Sequence, residues 1–197
     1  MSNVEMIHHP LVQKAISFAE TKHIGVRRRD GFPYLTHPLE VLRILLLSPW
    51  KFTAEELAAA VLHDIVEDTE TTFEELDKEF GDRIAAMVWL LSKPKDEDRK
   101  MRRMIYYSAV PLLSPALIAI KLADMLHNLT TLDGIGVDPD WAEEFRGKII
   151  KYGLPLVDVL KMHGECWHEY AEWIRVRMEC AINQDTCGYC LRKEQRI

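Results

Sequence analysis

The sequence predicts an all-α protein that folds as a single-domain helical bundle, and the first reason is its helical periodicity. Apolar residues recur at helical spacing along almost the whole chain, and no segment shows the alternation and hairpin turns of β-strands. The length of 197 residues suits one domain with one core. With no internal repeat and no linker in view, we predict one domain over residues 1–182 and a polar, cysteine-containing tail over residues 183–197.

The bulk composition argues against several classes of protein. Hydrophobic residues make up 48% of the chain and charged residues 28%, as in ordinary globular proteins. No apolar run reaches the ~18 residues that a membrane span needs, and the start MSNVEMIHHP does not have the form of a signal peptide, so we expect a cytoplasmic protein. A formal net charge of −6 disfavours nucleic-acid coating, although a local arginine cluster can still bind a small anion.

Helix-start and helix-stop signals divide the first part of the chain. The segment PLVQKAISFAETKH carries one apolar stripe and predicts a first helix over residues 10–23. Pro38 in a first turn marks a second helix over residues 37–47. Thr53 and Glu56 have the form of a capping box for a third helix, whose interior ELAAAVLHDIV is apolar on most sides and therefore predicted to be buried.

The same signals continue through the second part. Thr71 and Thr72 each offer a capping box for a fourth helix, and Gly81 separates it from an apolar run at residues 84–91. Another helix is predicted over residues 97–110. Ser-Pro at 114–115 opens the apolar segment ALIAIKLADMLHNLTTL, and Asp-Pro at 138–139 precedes one or two long helices that fill residues 141–182.

The adjacent His63 and Asp64, inside the predicted third helix, carry the strongest chemical signal. Glu67 and Asp68 follow within a turn, and helical spacing predicts these side chains on one side of the helix. Four ionisable groups beside a run of Ala, Val and Leu are costly to bury without partners. A divalent cation is the simplest partner, and imidazole nitrogen with carboxylate oxygen suits Mn²⁺, Fe²⁺ or Zn²⁺.

Two more residues in similar settings complete a candidate metal site. His37 begins the second helix, and Asp124 lies in the middle of a mostly apolar helix. With His63 and Asp64 they supply two nitrogens and two carboxylates, which leaves open positions on an octahedral ion for water and substrate. For any one of these residues a hydrogen-bonded core position is the simpler interpretation, but the set as a whole favours a metal.

At these residues the sequence resembles the HD superfamily of metal-dependent phosphohydrolases. Within that superfamily it is similar to the hydrolase domain of the RelA/SpoT family and its stand-alone small alarmone hydrolases. The similarity spans about residues 8–132 and depends on four segments: HIGVRRRDGFPYLTHP, LHDIVEDT, FEELDKEFGDRIAAMV and IKLADMLHNLTTL. The HD pair alone is a weak motif, whereas these segments in this order are quite specific.

The resemblance implies an HD-type helical bundle, a metal cofactor and a hydrolytic reaction. In that family the matching positions hold a Mn²⁺ ion, here His37, His63, Asp64 and Asp124. The acidic pair that assists the attack of water on phosphorus matches Glu67 and Asp68. The implied reaction is the removal of the 3′-pyrophosphate from ppGpp or pppGpp, which gives GDP or GTP and pyrophosphate. Another divalent metal could replace Mn²⁺.

The substrate side matches the family less closely than the metal side. The basic loop contains Arg27, Arg28 and Arg29. Guanidinium groups can form paired hydrogen bonds with phosphates or lie flat on nucleobases, so this loop suits a nucleotide ligand. The resemblance implies that five residues face the nucleotide: Arg28, Arg29, Tyr34, Asn128 and Thr131. Met125 and Thr130, however, stand where family members commonly carry basic residues, and Val26 stands where glutamine is usual. The chemistry is therefore better defined than the substrate.

Three functions stay open at this point. The first is hydrolysis of guanosine alarmones. The second is hydrolysis of another nucleotide, namely a ppApp-type alarmone, the 2′-phosphate of NADPH or a nucleoside monophosphate. The third is a nucleotide-binding regulator without turnover. In each case we expect a small anionic nucleotide as partner, no nucleic acid and no membrane, with a homodimer as one open assembly state.

The four cysteines lie in the last third of the chain, at residues 166, 180, 187 and 190. Free thiols are the default interpretation, because disulfide scaffolds spread cysteines through smaller secreted chains. A small zinc site that uses Cys187 and Cys190 is the alternative.

Overall fold

The computed structural model describes residues 3–93, 99–132, 134 and 136–183. Within these residues every regular element is a helix, as the sequence predicts, and the sole β-type pairing is one bridge between Arg27 and Pro33. None of the helices in these ranges combines the length and apolar character that crossing a membrane requires. The tail beyond residue 183, with Cys187 and Cys190, lies outside the described residues, so its boundary and its zinc alternative stay predictions.

The helices follow the predicted order, except that three helices occupy residues 139–182, where one or two long helices were predicted. The first part of the chain forms α1 (Pro10–Lys22), α2 (Thr36–Leu46), α3 (Ala54–Leu62), α4 (Ile65–Asp68), α5 (Phe73–Phe80) and α6 (Asp82–Leu91). The second part forms α7 (Arg99–Ala109), α8 (Pro115–Leu129), α9 (Pro139–Lys148), α10 (Leu154–Lys161) and α11 (Glu165–Ile182). A π turn at Ile149–Gly153 joins α9 to α10, and 3-10 turns lie at Val4–His8 and Val110–Leu112.

One expectation, that the third helix runs unbroken through HDIV, is wrong. Helix α3 ends at Leu62 and α4 begins at Ile65, with Asp64 between them at φ −105° and ψ 0°. The carbonyl of Ala60 would pair with the N–H of residue 64 in a continuous helix, but it lies 2.7 Å from Nδ1 of His63. A side-chain hydrogen bond thus competes with the helical ladder at the break.

Side-chain caps begin the helices that approach the centre. The N–H of Glu56 donates to Oγ1 of Thr53 at 3.2 Å, and the N–H of Thr53 donates to Oε2 of Glu56 at 2.8 Å, so the predicted capping box is present. Thr72, rather than the buried Thr71, caps α5 by accepting from the N–H of Glu75. These bonds satisfy N–H groups that have no partner inside the helix.

Helices α3 and α8 form the centre of the bundle. All of α3 from Leu57 to Leu62 is buried, and so is α8 from Ala116 to His127. Helices α1 and α6 pack against α3, α10 and α11 pack against α8, and α2 contacts both central helices. The hydroxyl of Tyr170 on α11 donates to the carbonyl of Ala119 at 3.0 Å. The polar residues of α2, α3 and α8 therefore meet in the interior.

The capping box of α3 should contribute measurably to stability. Thr53→Ala is expected to lower the free energy of unfolding by about 1 kcal/mol, because an N-terminal N–H group loses its acceptor. Thr53→Ser keeps the hydroxyl and should retain most of that stability. Urea unfolding followed by circular dichroism measures both variants, and equal losses would show that the hydroxyl is not the source of the stabilisation.

Candidate metal centre and substrate pocket

Four side chains from separate parts of the chain meet at the centre of the bundle. His37 comes from the first turn of α2, His63 and Asp64 from the break between α3 and α4, and Asp124 from the middle of α8. Each offers one ligand atom, and these atoms all lie within 4.8 Å of one another. Three of the four residues are buried, and Asp64 is half-buried. The structure thus brings together the four residues that the sequence predicts as metal ligands.

The proton donors and acceptors of this cluster fit a cation at its centre. Nδ1 of His63 lies 2.7 Å from the carbonyl of Ala60, which can only accept, so Nδ1 carries a proton and Nε2 of the neutral ring presents a lone pair. That Nε2 faces His37 Nε2 at 3.2 Å, Asp64 Oδ2 at 3.1 Å and Asp124 Oδ1 at 3.9 Å. Such acceptors repel one another unless a positive charge lies among them. Two imidazoles and two carboxylates suit a divalent metal ion.

The pKa shifts show the same attraction for positive charge. Burial lowers the pKa of His63, but the charge of Asp64 and hydrogen bonds with Asp124 and Asp64 raise it to about 10. Burial raises the pKa of Asp124, but the ammonium of Lys121 and hydrogen bonds from His37 and His63 hold it well below its usual range. The cluster therefore favours a cation at its centre, whether a proton or a metal ion.

Hydrogen bonds fix the orientation of both carboxylates. Nζ of Lys121 donates to Oδ2 of Asp124, and Nδ2 of Asn128 donates to Oδ1, each at 2.6 Å. Lys121 is only 3% exposed, so this ion pair is buried. The hydroxyl of Tyr34 donates to Oδ2 of Asp64 at 2.9 Å. Partners of this kind typically orient metal ligands in proteins.

The two predicted catalytic carboxylates lie in different surroundings. Glu67 accepts from the backbone N–H of Lys93 at 2.8 Å and pairs with its Nζ at 2.9 Å. The side chain of Asp68 is exposed, but partial desolvation of its carboxyl group and the charge of Asp64 raise its pKa. Glu67 is therefore held by Lys93, whereas Asp68 is affected mainly by the charge of Asp64.

Three of the predicted substrate residues form one network beside the cluster. Nη2 of Arg28 donates to Oγ1 of Thr131 at 3.0 Å and to Oδ1 of Asn128 at 3.3 Å. Nε of Arg28 lies 3.5 Å from Oδ2 of Asp30. Because Asn128 also donates to Asp124, the basic loop is connected to the metal cluster through a single amide side chain.

The other two predicted substrate residues lie on either side of this network. The guanidinium of Arg29 lies 4.7 Å from the ring centroid of Trp141 on α9, in a cation–π contact. The ring of Tyr34 stacks on His23 at 4.9 Å and meets the edge of His37 at 5.9 Å. With its hydroxyl on Asp64, Tyr34 orients a member of the cluster in addition to any contact with substrate.

Sequence reasoning missed three residues that contact the site. Lys121 and His127 lie three residues before and after Asp124, so helical spacing offered a signal for both of them. Lys93 follows the end of α6 and reaches Glu67 across 26 positions of sequence. No local pattern indicates that contact, because it depends on how α4 and α6 pack.

Comparison with protein families identifies the family of this chain. The model of the HD domain family matches residues 15–144, a range that contains all four residues of the cluster. The chain belongs to the HD domain family. The resemblance inferred from the HD motif and its flanking segments is thereby confirmed.

Two relatives with named activities are similar to this chain. The guanosine-3′,5′-bis(diphosphate) 3′-pyrophosphohydrolase MESH1 of Homo sapiens is 38% identical over 122 residues, which cover 61% of this chain and 68% of that protein. The guanosine-3′,5′-bis(diphosphate) 3′-pyrophosphohydrolase of Aquifex aeolicus is 33% identical over 174 residues. That match covers 84% of this chain but only 22% of the bacterial protein, so the chain spans about a fifth of that relative.

A solved structure agrees with the bundle described above. It belongs to a metazoan ortholog of SpoT that hydrolyzes ppGpp and plays a role in starvation responses. The two chains superpose with a TM-score of 0.75 at 26% identity, and the match covers 90% of this chain and 96% of the other. The similarity therefore extends well beyond the segments that carry the motifs.

Lys121 is the buried counter-charge of Asp124, so replacing it tests whether a metal ion can neutralise this carboxylate instead. Lys121→Met is expected to lower the free energy of unfolding in EDTA by roughly 3 to 5 kcal/mol, because it leaves a buried carboxylate without its counter-charge. Mn²⁺ should restore part of the loss, and urea unfolding with EDTA and with Mn²⁺ measures both effects.

Lys14→Met is the matched control, because Lys14 forms an exposed ion pair with Glu79 at 3.4 Å. It should change the free energy of unfolding by less than about 1 kcal/mol in either condition. If Mn²⁺ stabilised neither variant, a cation site at Asp124 would be contradicted.

Proposed function

We propose that this protein is a Mn²⁺-dependent pyrophosphohydrolase that removes the 3′-pyrophosphate of guanosine alarmones. It would convert ppGpp to GDP and pppGpp to GTP, with release of pyrophosphate. The observation that carries the proposal is the set of four ligand atoms within 4.8 Å at the centre of the bundle. The activities named for the Aquifex aeolicus and human relatives support this choice of substrate.

His37, His63, Asp64 and Asp124 would hold the metal ion. Mn²⁺ accepts both imidazole and carboxylate ligands and leaves positions for water and substrate, although Fe²⁺ and Zn²⁺ share these preferences. When bound, the ion supplies Lewis-acid polarisation of a phosphate oxygen and lowers the pKa of a bound water. Hydrogen bonds orient both carboxylates, from Lys121 and Asn128 to Asp124 and from Tyr34 to Asp64.

Asp68 is the carboxylate best suited to accept a proton from the attacking water. Its raised pKa makes it a stronger base than an ordinary aspartate, and its exposure gives it access to solvent. Glu67 forms an ion pair with Lys93. This pair fixes the carboxylate of Glu67 and favours a role in orienting the water. The two residues of the acidic pair would thus divide the work.

The basic loop would receive the nucleoside. Arg28 already donates to Asn128 and Thr131, so a ribose or base placed against this network meets an ordered set of polar groups. Arg29 and Trp141 together form a flat cationic surface on which a base can stack. These contacts support the roles of the five predicted substrate residues, which remain proposals.

A related hydrolase with another nucleotide substrate is the second candidate, and one observation favours it. Met125, at a position where family members commonly carry a basic residue, is 2% exposed and packs against Gly153 in the core. It therefore offers no charge to a substrate phosphate. A ppApp-type alarmone, NADPH or a nucleoside monophosphate are the alternatives. The intact ligand set and acidic pair argue against the third candidate, a regulator without turnover.

We also propose a cytoplasmic location and no nucleic-acid or membrane partner, in keeping with the net charge of −6. A homodimer remains a prediction. The partner that matters for function is the small anionic nucleotide.

A panel of nucleotides tests the reaction. With Mn²⁺ present, we expect pyrophosphate from ppGpp and pppGpp, and none from NADPH or nucleoside monophosphates, with Asp64→Ala as the blank. Ion chromatography separates pyrophosphate from orthophosphate. Orthophosphate from NADPH or a monophosphate would replace the substrate but keep the metallohydrolase, and ppApp as the sole substrate would move the proposal to adenine alarmones. Silence on every compound would favour the regulator.

Two variants separate metal binding from the orientation of the attacking water. Asp64→Ala should abolish both Mn²⁺ binding and turnover, because it removes a ligand. Glu67→Gln should bind Mn²⁺ normally and lower kcat by about 10²-fold, because the amide no longer orients the attacking water as the carboxylate does. Calorimetric titration with Mn²⁺ and single-substrate kinetics give the two readouts. Equal loss of metal from both variants would contradict the assigned roles.

A further inference from the structure

A second histidine lies directly behind His37. Nδ1 of His127 is 2.7 Å from Nδ1 of His37, and the two rings lie edge to edge, with centroids 4.9 Å apart and an interplanar angle of 28°. Both residues are buried, with His127 7% exposed. The other nitrogen of His37, Nε2, faces the cluster at 3.2 Å from Asp124 and 3.4 Å from Asp64. His37 therefore contacts the metal centre with one ring nitrogen and His127 with the other.

This contact constrains where the protons lie. Two ring nitrogens at 2.7 Å share one proton, because two lone pairs would repel and two N–H groups would collide. A neutral imidazole that binds a cation through Nε2 carries its proton on Nδ1. His37 must then donate from Nδ1, and His127 must accept at its own Nδ1.

His63, the other imidazole of the cluster, is held by a backbone carbonyl and not by a second histidine. Its Nδ1 lies 2.7 Å from the backbone carbonyl of Ala60, a group that can only accept, so its Nε2 is always the one left for a cation. His37 has a side chain in that position. The tautomer of His37 therefore depends on a residue that substitution can change.

We propose that His127 is a positioning residue of the metal centre, because its Nδ1 accepts the proton of His37 and keeps Nε2 of His37 free to bind the ion. The proposal rests on the metal site of the proposed function. It assigns α8 a wider part in that site, since this helix also supplies Asp124 as a ligand together with Lys121 and Asn128, which orient it.

Two substitutions at position 127 test the acceptor. The Oδ1 atom of asparagine branches from Cγ, as Nδ1 of histidine does, so His127→Asn can still accept from His37. Leucine has a similar shape without an acceptor, and His127→Leu leaves a buried N–H of His37 unpaired. The full chain is titrated with Mn²⁺ by calorimetry in the absence of nucleotide, after circular dichroism has shown the helical content of each variant.

The expected result is a difference between the two variants. His127→Leu should weaken Mn²⁺ binding by about 10- to 100-fold, the range for loss of a group that supports a ligand, while His127→Asn should stay within about threefold of the parent protein. Wild-type affinity in the leucine variant, or an equal loss in both, would overturn the proposal. No nucleotide is present, so a failure of the alarmone assay leaves this result independent.

A direct measurement covers the case in which the leucine variant does not fold. Nitrogen-15 chemical shifts of the histidine rings in the Zn²⁺-loaded parent protein report which nitrogen of His37 carries the proton. A protonated Nδ1 and a metal-bound Nε2 support the proposal. A metal-bound Nδ1, or a His37 ring with no proton on Nδ1, overturns it.

Discussion

The bundle depends on neutralising two carboxylates at its centre. Asp64 and Asp124 lie among apolar helices, where an unpaired charge would be strongly unfavourable. Each carboxylate has its own donor, Tyr34 for Asp64 and Lys121 for Asp124, and both face two imidazoles. The approach of α2, α3 and α8 to one point is stabilised by this set of contacts, and a divalent ion would join the three helices further.

The break between α3 and α4 follows from the same requirement. A continuous helix would keep Asp64 in regular helical register, whereas the observed conformation at φ −105° brings its carboxylate within 3.4 Å of His37. The bond from His63 to the carbonyl of Ala60 holds the break in place. Local helical regularity is thus given up where the cluster forms.

The sequence sufficed for the residues that carry local signals. Capping boxes, proline positions and apolar periodicity predicted most of the helices before residue 139 to within a few residues, and the HD and LAD motifs predicted His63 and Asp124 as members of one cluster. The alanine-rich run before His63 favours a helix, so the break at that point was not predictable from propensity. The pairing of Lys93 with Glu67 and the position of Tyr34 between two histidines also depend on packing between distant segments.

The amide of Asn128 touches both halves of the site, since its oxygen accepts from Arg28 and its nitrogen donates to Asp124. An anion that binds Arg28 would compete with the hydrogen bond from Arg28 to the amide oxygen of Asn128. A cation that binds Asp124 would compete with the hydrogen bond from the amide nitrogen of Asn128 to Asp124. Binding of a metal ion at Asp124 and of a nucleotide at Arg28 would therefore be thermodynamically linked. Linkage of this kind is reciprocal: whatever factor the metal contributes to nucleotide affinity, the nucleotide contributes to metal affinity.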